Sequence, residues 1–277
     1  MKDLHYVLEN FFTHRDYLVD AAQIPGTLFT PLHFLFEAVL LAVIISGALY
    51  VAKHGKLIRP VFTGIWVTLV IWEFVIIAWD STAGKTVGLD LRTNLSLYPC
   101  SIYLYAMPFI LWGRGAPRQM ACGYLFTLGM MGAVVNFLYP ISRLTDYSCI
   151  SFPGFHTFAF HGSMLFTYLV MVRSGMHSYA TGGRWQALFY PSMFSLFLSI
   201  PANLINYSPI DADYMYFKGQ FPLLQKLFVG VQPISITLIL YGLYLFIPAM
   251  FYLPDYLRER QTVQSVWQRV TGRYGTE

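Results

Sequence analysis

Seven apolar stretches, at about 29–52, 60–79, 95–113, 119–140, 152–172, 185–206 and 228–253, constrain this chain more than any other feature. A bilayer core is about 30 Å thick, so a spanning helix needs roughly 20 mostly apolar residues. Each stretch meets that length, and a soluble domain has no use for seven of them. The expected fold is an all-α bundle of seven transmembrane helices. Every stretch but the last also hides one or two groups that hydrocarbon penalises: His33, Glu37, Glu73, Cys100, Asn136, His156, His161, Asn203 and Asn206.

Charged residues make up 12% of the 277 residues and hydrophobic ones 56%, against about 25% charged in soluble domains. The spans consume most of the chain, which leaves no room for a second soluble domain. Three cysteines do not make a disulfide framework of even number and regular spacing.

The basic residues set the expected orientation. The linkers after spans one, three and five, with the tail, carry eleven Lys and Arg: Lys53, Lys56, Arg59, Arg114, Arg118, Arg173, Arg184, Arg258, Arg260, Arg269 and Arg273. The other face holds seven (Lys2, Arg15, Lys85, Arg92, Arg143, Lys218 and Lys226). The positive-inside rule counts Lys and Arg, so the first face is expected to be cytoplasmic, with the N-terminus outside and the C-terminus inside. Residues 1–27 lack an uninterrupted apolar core, because Asp3, Glu9, Asp16 and Asp20 break it. Leu4, Val7, Leu8, Phe11 and Phe12 instead form one helical stripe, expected to lie in the outer interface. Residues 28–253 form the membrane domain and 254–277 a basic amphipathic tail, with Val263, Val266, Trp267 and Val270 on one face.

Depth decides which polar groups could meet. Thr30 followed by Pro31 reads as a cap and first-turn proline, so span one starts there. At 1.5 Å per residue, His33 then lies ~4 Å below the outer boundary and Glu37 ~10 Å, on one helix face. By the same rise, Glu73 comes to roughly 10 Å, Cys100 to ~8 Å and His161 to about 12 Å. Asn136, Asn203 and Asn206 close outward-going spans. Random placement would put half of these groups in the inner leaflet, and essentially none falls there. One outer-leaflet polar pocket, built from spans one to six, is the expectation.

An ionisable group inside the membrane is a functional hypothesis by default, since a central charge costs at least ~2.5–3.5 kcal/mol. The plainer readings stand beside it. Glu37 and Glu73 can be neutral or can hydrogen-bond a histidine, and His156, near an interface, is cheap. The asparagines serve well as interhelical glue. Most buried cysteines are inert, but Pro99 suggests a helix start at Cys100, where a thiolate is favoured. Such a thiol needs a base, and His161 and His156 match it in depth. Cys122 near the inner face has no polar company, and Cys149 lies in the outer loop, from which a disulfide to Cys100 would require that loop to fold inward.

TPLHF (His33), the Glu73 helix, NLSLYPCSIYL (Cys100), GMMGAVVNFLYP (Asn136), FPGFHTFAFHGSM (His156, His161) and INYSPIDADYMYFKGQFP follow one another in the chain. In that order they resemble the YwaF-like bacterial membrane proteins, which are related to the eukaryotic transmembrane-protein-164 group. The resemblance covers about residues 28–250. It departs where Asp213 replaces an Asn before Tyr214 and where Tyr98–Pro99 interrupts a Leu–polar–Leu pattern. It implies transfer of a fatty acyl chain from a diacyl lipid to a lysophospholipid, with Cys100 as nucleophile and His161 as general base and then acid.

Acyl transfer or hydrolysis on a membrane phospholipid or other acyl-chain substrate, through Cys100 and His161, is thus the expected function. His33, Glu37, Glu73, Asn136, His156, Asn203 and Asn206 would support it. No cofactor, bound metal or nucleic-acid partner is expected. The rivals are a proton-coupled transporter, a metal-dependent lipid hydrolase using His and Glu ligands, and a non-catalytic lipid or small-molecule sensor. The location is an integral, multi-pass one, the cytoplasmic membrane if the source is bacterial.

Overall fold

The computed structural model describes residues 2–19, 23–140, 144–219 and 222–272, and among these there is helix but no strand. Among the described residues ten α-helices follow in order: α1 Lys2–Glu9, α2 Pro31–Lys53, α3 Ile58–Ala83, α4 Ile102–Trp112, α5 Gly115–Tyr124, α6 Met130–Leu138, α7 Phe152–Ser174, α8 Tyr190–Asn206, α9 Pro222–Leu227 and α10 Pro233–Gly272. A π-helical turn, Leu125–Gly129, joins α5 to α6 into one rod.

Among the described residues six helical stretches are long and apolar enough to cross a membrane: Pro31–Lys53, Gly55–Ala83, Gly115–Leu138, Phe152–Ser174, Trp185–Asn206 and Pro233–Thr262. They match six of the seven expected spans. The stretch expected over 95–113 differs: its helix starts only at Ile102 and runs 11 residues. At 1.5 Å per residue α4 covers about 16 Å, roughly half a bilayer core. Cys100 therefore lies in the irregular segment before the helix, ahead of the cap position Ser101. The start of α2 is as expected, since Thr30 Oγ1 accepts from the His33 N–H and Pro31 occupies the first turn.

The centre of the bundle is the α5–α6 rod, with 61% of its apolar window buried against 17% for α2. Helix α7 packs on α2, α3 and α6, and α5 packs on α4 and α8. Gly123 permits the α5–α8 contact, because a Cβ there would meet Pro191 at 3.0–3.2 Å. The outer face of α2 shows Leu35, Val39 and Val43 more than half exposed, as a lipid-facing surface should. Pro108 inside α4 cannot donate to the Leu104 carbonyl, and the Trp66 indole N–H fills that vacancy at 2.9 Å.

The N-terminal segment docks on the ends of α3 and α7. The Phe11 carbonyl accepts from Phe152 N at 2.9 Å, and the Trp79 indole donates to the Phe12 carbonyl at 3.1 Å. Within the expected stripe, Val7 is buried while Leu8 and Phe12 are exposed, and the Leu4 side chain lies outside the described residues. Helix α10 runs unbroken into the tail, whose Val263, Val266, Trp267 and Val270 side chains are likewise outside the described residues. All three cysteines are free thiols. Cys149 lies in the connection before α7, as expected, and is fully buried there in a satellite core with Ile44, Phe137, Leu144 and Phe158. Burial pushes that thiol up to about 11, so it stays protonated at neutral pH.

Candidate functional site

Helix α7 sorts the polar residues by the face on which each stands. His156, Phe160, Ser163 and Thr167 fall within about 60° of one another at 100° per residue, and this face meets α3 and α4. Phe155, Phe158 and Gly162 occupy a second face, against α2. The single expected pocket therefore resolves into two polar pairs on different sides of α7.

The first pair belongs to α2. His33 is 1% exposed; its Nδ1 accepts from Phe29 N at 3.2 Å, so a neutral ring carries its proton on Nε2. That Nε2 is 3.9 Å from Glu37 Oε2, too far for a hydrogen bond, and has no hydrogen-bond partner among the described residues. Phe29, Phe34 and Phe158 crowd the ring.

The second pair spans three elements. Glu73 Oε1 accepts from Ser96 Oγ at 2.6 Å, and its Oε2 lies 3.3 Å from His156 Nε2 without hydrogen-bond alignment. Glu73 thus bridges the histidine helix to the irregular segment four residues ahead of Cys100. The same carboxyl is close enough to Cys100 to act on it electrostatically.

His161 stands about 140° round α7 from His156. Its Nδ1 is 2.8 Å from the Thr157 carbonyl. A carbonyl only accepts, so Nδ1 carries the proton and the Nε2 lone pair remains for a substrate or a thiol. The two histidines sense each other electrostatically. Tyr103, one turn beyond Cys100, reaches the Ser163 carbonyl at 3.2 Å and Thr167 Oγ1 at 2.7 Å, which ties the start of α4 to α7 just past His161. No hydrogen bond joins the Cys100 sulfur to His161 among the described residues.

Tyrosines surround the Cys100 segment, and these the residue pattern alone did not single out. The Tyr124 hydroxyl, at the edge of the π turn, donates to the Pro99 carbonyl at 2.8 Å. Tyr124, Tyr216 and Tyr244 all lie within electrostatic reach of the thiol. Tyr214 accepts from Leu95 N at 2.9 Å and donates to the Leu91 carbonyl at 2.7 Å.

Tyr214 and Tyr216 come from the segment read as the longest outer loop, which folds into the bundle as a plug. Tyr214, Met215 and Phe217 are all 0% exposed. Asn206 holds the plug: its Oδ1 accepts from Tyr214 N at 2.7 Å and its Nδ2 donates to the Tyr214 carbonyl at 2.8 Å. Asn203 donates to the Tyr241 hydroxyl at 2.7 Å. Met215 and Tyr216 have φ of 56° and 59°, a left-handed backbone that costs about 1–3 kcal/mol per residue and survives only where surroundings over-determine it. Outside the membrane-spanning segments, the Lys218 ammonium hydrogen-bonds Asp211 and holds that carboxyl below its usual range.

Asn136 stands apart from these groups, buried on α6 with its Nδ2 unpartnered. Among the described residues no three His, Cys, Asp or Glu side chains converge as metal ligands.

Six membrane-length helices, stacked around buried polar groups, define an integral, multi-pass membrane protein. The chain belongs to the TMEM164 family, whose model matches residues 28–253. No curated protein and no solved structure matches it.

Proposed function

We propose that the chain is an acyl-transfer enzyme of the membrane, of the YwaF-like bacterial branch, acting on lipid esters through Cys100 and His161. The observation that carries this reading is Glu73, which hydrogen-bonds Ser96, four residues ahead of Cys100, and lies 3.3 Å from His156, five residues ahead of His161. In this reading the half-length α4 and its irregular lead-in count as a seventh crossing, with the N-terminus outside and the basic face inside.

The His161 Nε2 lone pair takes the thiol proton, and the thiolate attacks the ester carbonyl carbon. The carbon–oxygen bond to glycerol breaks, and the leaving oxygen takes the proton back from the imidazolium. The chain is then held as a thioester on Cys100. A lysophospholipid hydroxyl (or water) loses its proton to His161, attacks the thioester carbonyl, and the C–S bond breaks to release the thiolate, which is reprotonated.

The intermediate is its own test. Purified protein given phosphatidylcholine without acceptor should gain the mass of one acyl chain, removable by neutral hydroxylamine. Cys122→Ser and Cys149→Ser should keep the adduct and Cys100→Ser should lose it. An adduct that persists in folded Cys100→Ser, or none in any form while lipid turns over, would remove Cys100 from the reaction.

A further inference from the structure

A second site lies at the other end of the bundle. Between the start of α5, the turn after α7 and α10 there is a cavity of about 370 Å³, walled by Arg118, His177, Ser178, Thr181, Arg184 and Tyr252. It is about 28 Å along α7 from His156, counted from the helix rise. No Asp or Glu stands among its lining residues. Neither Arg118 nor Arg184 has an acidic partner among the described residues.

Its walls are fixed before any ligand arrives. Glu259 of α10 accepts from Thr181 N at 2.9 Å, Thr181 Oγ1 at 2.7 Å and Gly183 N at 3.1 Å. The turn needs Gly182 and Gly183, whose φ are 63° and 69°. With Glu259 spent on that turn, Arg184 next to it is left facing the cavity. His177 Nε2 and the Tyr252 hydroxyl are 2.7 Å apart. Burial and the Arg118 guanidinium push His177 down to about 4, so at neutral pH it is an uncharged hydrogen-bonding wall.

A neighbouring cavity of about 310 Å³ shares Arg118 and Met176 with the first. Its other walls are apolar (Ile58, Phe62, Ile110 and Leu111), with Arg59 at its side. Guanidinium groups without counter-charge match the oxygens of a phosphate, and the adjoining apolar chamber matches a hydrocarbon chain. A soluble anion would have no use for that chamber.

We infer that these two adjacent cavities form a binding site for an anionic glycerophospholipid, with the phosphate between Arg118 and Arg184 and a chain in the Ile58–Leu111 chamber. The site is separate from the Cys100 region, and occupying it does not require catalysis.

Native mass spectrometry of the detergent-solubilised protein tests this, with dioleoyl phosphatidylglycerol and dioleoyl phosphatidylcholine as probes. Phosphatidylglycerol should be retained preferentially. Arg118→Gln and Arg184→Gln should each weaken it about 10-fold or more, the loss expected for a charge-assisted pair. Arg118→Lys should keep part of the affinity, and Lys53→Gln, on the same face, should keep all of it. Equal retention of both lipids, or affinity unchanged in the folded Arg118→Gln/Arg184→Gln double variant, would overturn the proposal. Competition by millimolar inorganic phosphate as effective as that by the lipid would overturn it too, because the chamber would then contribute nothing.

Discussion

His161→Ala is expected to lower acyl transfer by about 10²–10⁴-fold, the range a positioned general base supplies. The expectation rests on the tautomer. With Nδ1 committed to the Thr157 carbonyl at 2.8 Å, the ring can accept a proton only at Nε2. His156→Gln should cost less, since His156 contributes through Glu73 and not through a lone pair aimed at substrate. Glu73→Gln keeps the Ser96 contact and loses the charge, and should fall between the two. The check is single-turnover thioester formation against pH. The wild-type rate should rise through the histidine titration, and the residual His161→Ala rate should rise only where the thiol itself ionises. Equal losses in His156→Gln and His161→Ala would move the base to the Glu73 pair.

Asn206→Ala is expected to unseat the plug. It leaves the buried Tyr214 N–H without a partner and its carbonyl with only the long Phe217 N–H contact at 3.5 Å, at about 1–3 kcal/mol for the orphaned donor. The left-handed backbone at Met215 and Tyr216 then has less to hold it. In detergent this should lower the melting temperature by about 4 °C or more. Cys100 should also become open to a small water-soluble maleimide that wild type resists. Asn206→Asp keeps the acceptor for Tyr214 N and loses the donor to its carbonyl, so it should lose less. A melting temperature within about 2 °C of wild type would mean that the aromatic packing of Phe217 on Tyr241 and Tyr244 suffices.

Six of the expected spans were legible because a bilayer demands about 20 apolar residues in a row and little else. The same signal misled at 95–113, where hydropathy continues through Leu95, Leu97 and Tyr98 although the helix begins only at Ile102. Local composition cannot tell an apolar helix from an apolar irregular segment stitched to tyrosines far along the chain. The plug was hidden by position: residues 207–227 connect two spans and so read as an outer loop. Three aromatics within 214–217 were the available clue, since an exposed connection seldom needs them. The Glu73–His156 approach was not legible, because periodicity gives a residue's depth and face but not which helix stands opposite. For the same reason one expected pocket became two pairs, with Phe158 on the side of His33 and Phe160 on the side of His156.

The brevity of α4 has a consequence for the membrane around it. Backbone that is not helical leaves many of its amides and carbonyls without a local partner, and hydrocarbon provides none. Here phenol groups take that role: Tyr105 caps the Ser96 carbonyl, Tyr124 that of Pro99 and Tyr214 that of Leu91. These rings insulate a bare stretch of main chain, as cladding does a wire, while leaving the thiol beside it. Removing a single hydroxyl should therefore be felt more in a bilayer than in a wetter micelle, because only the micelle lets water stand in for the missing phenol.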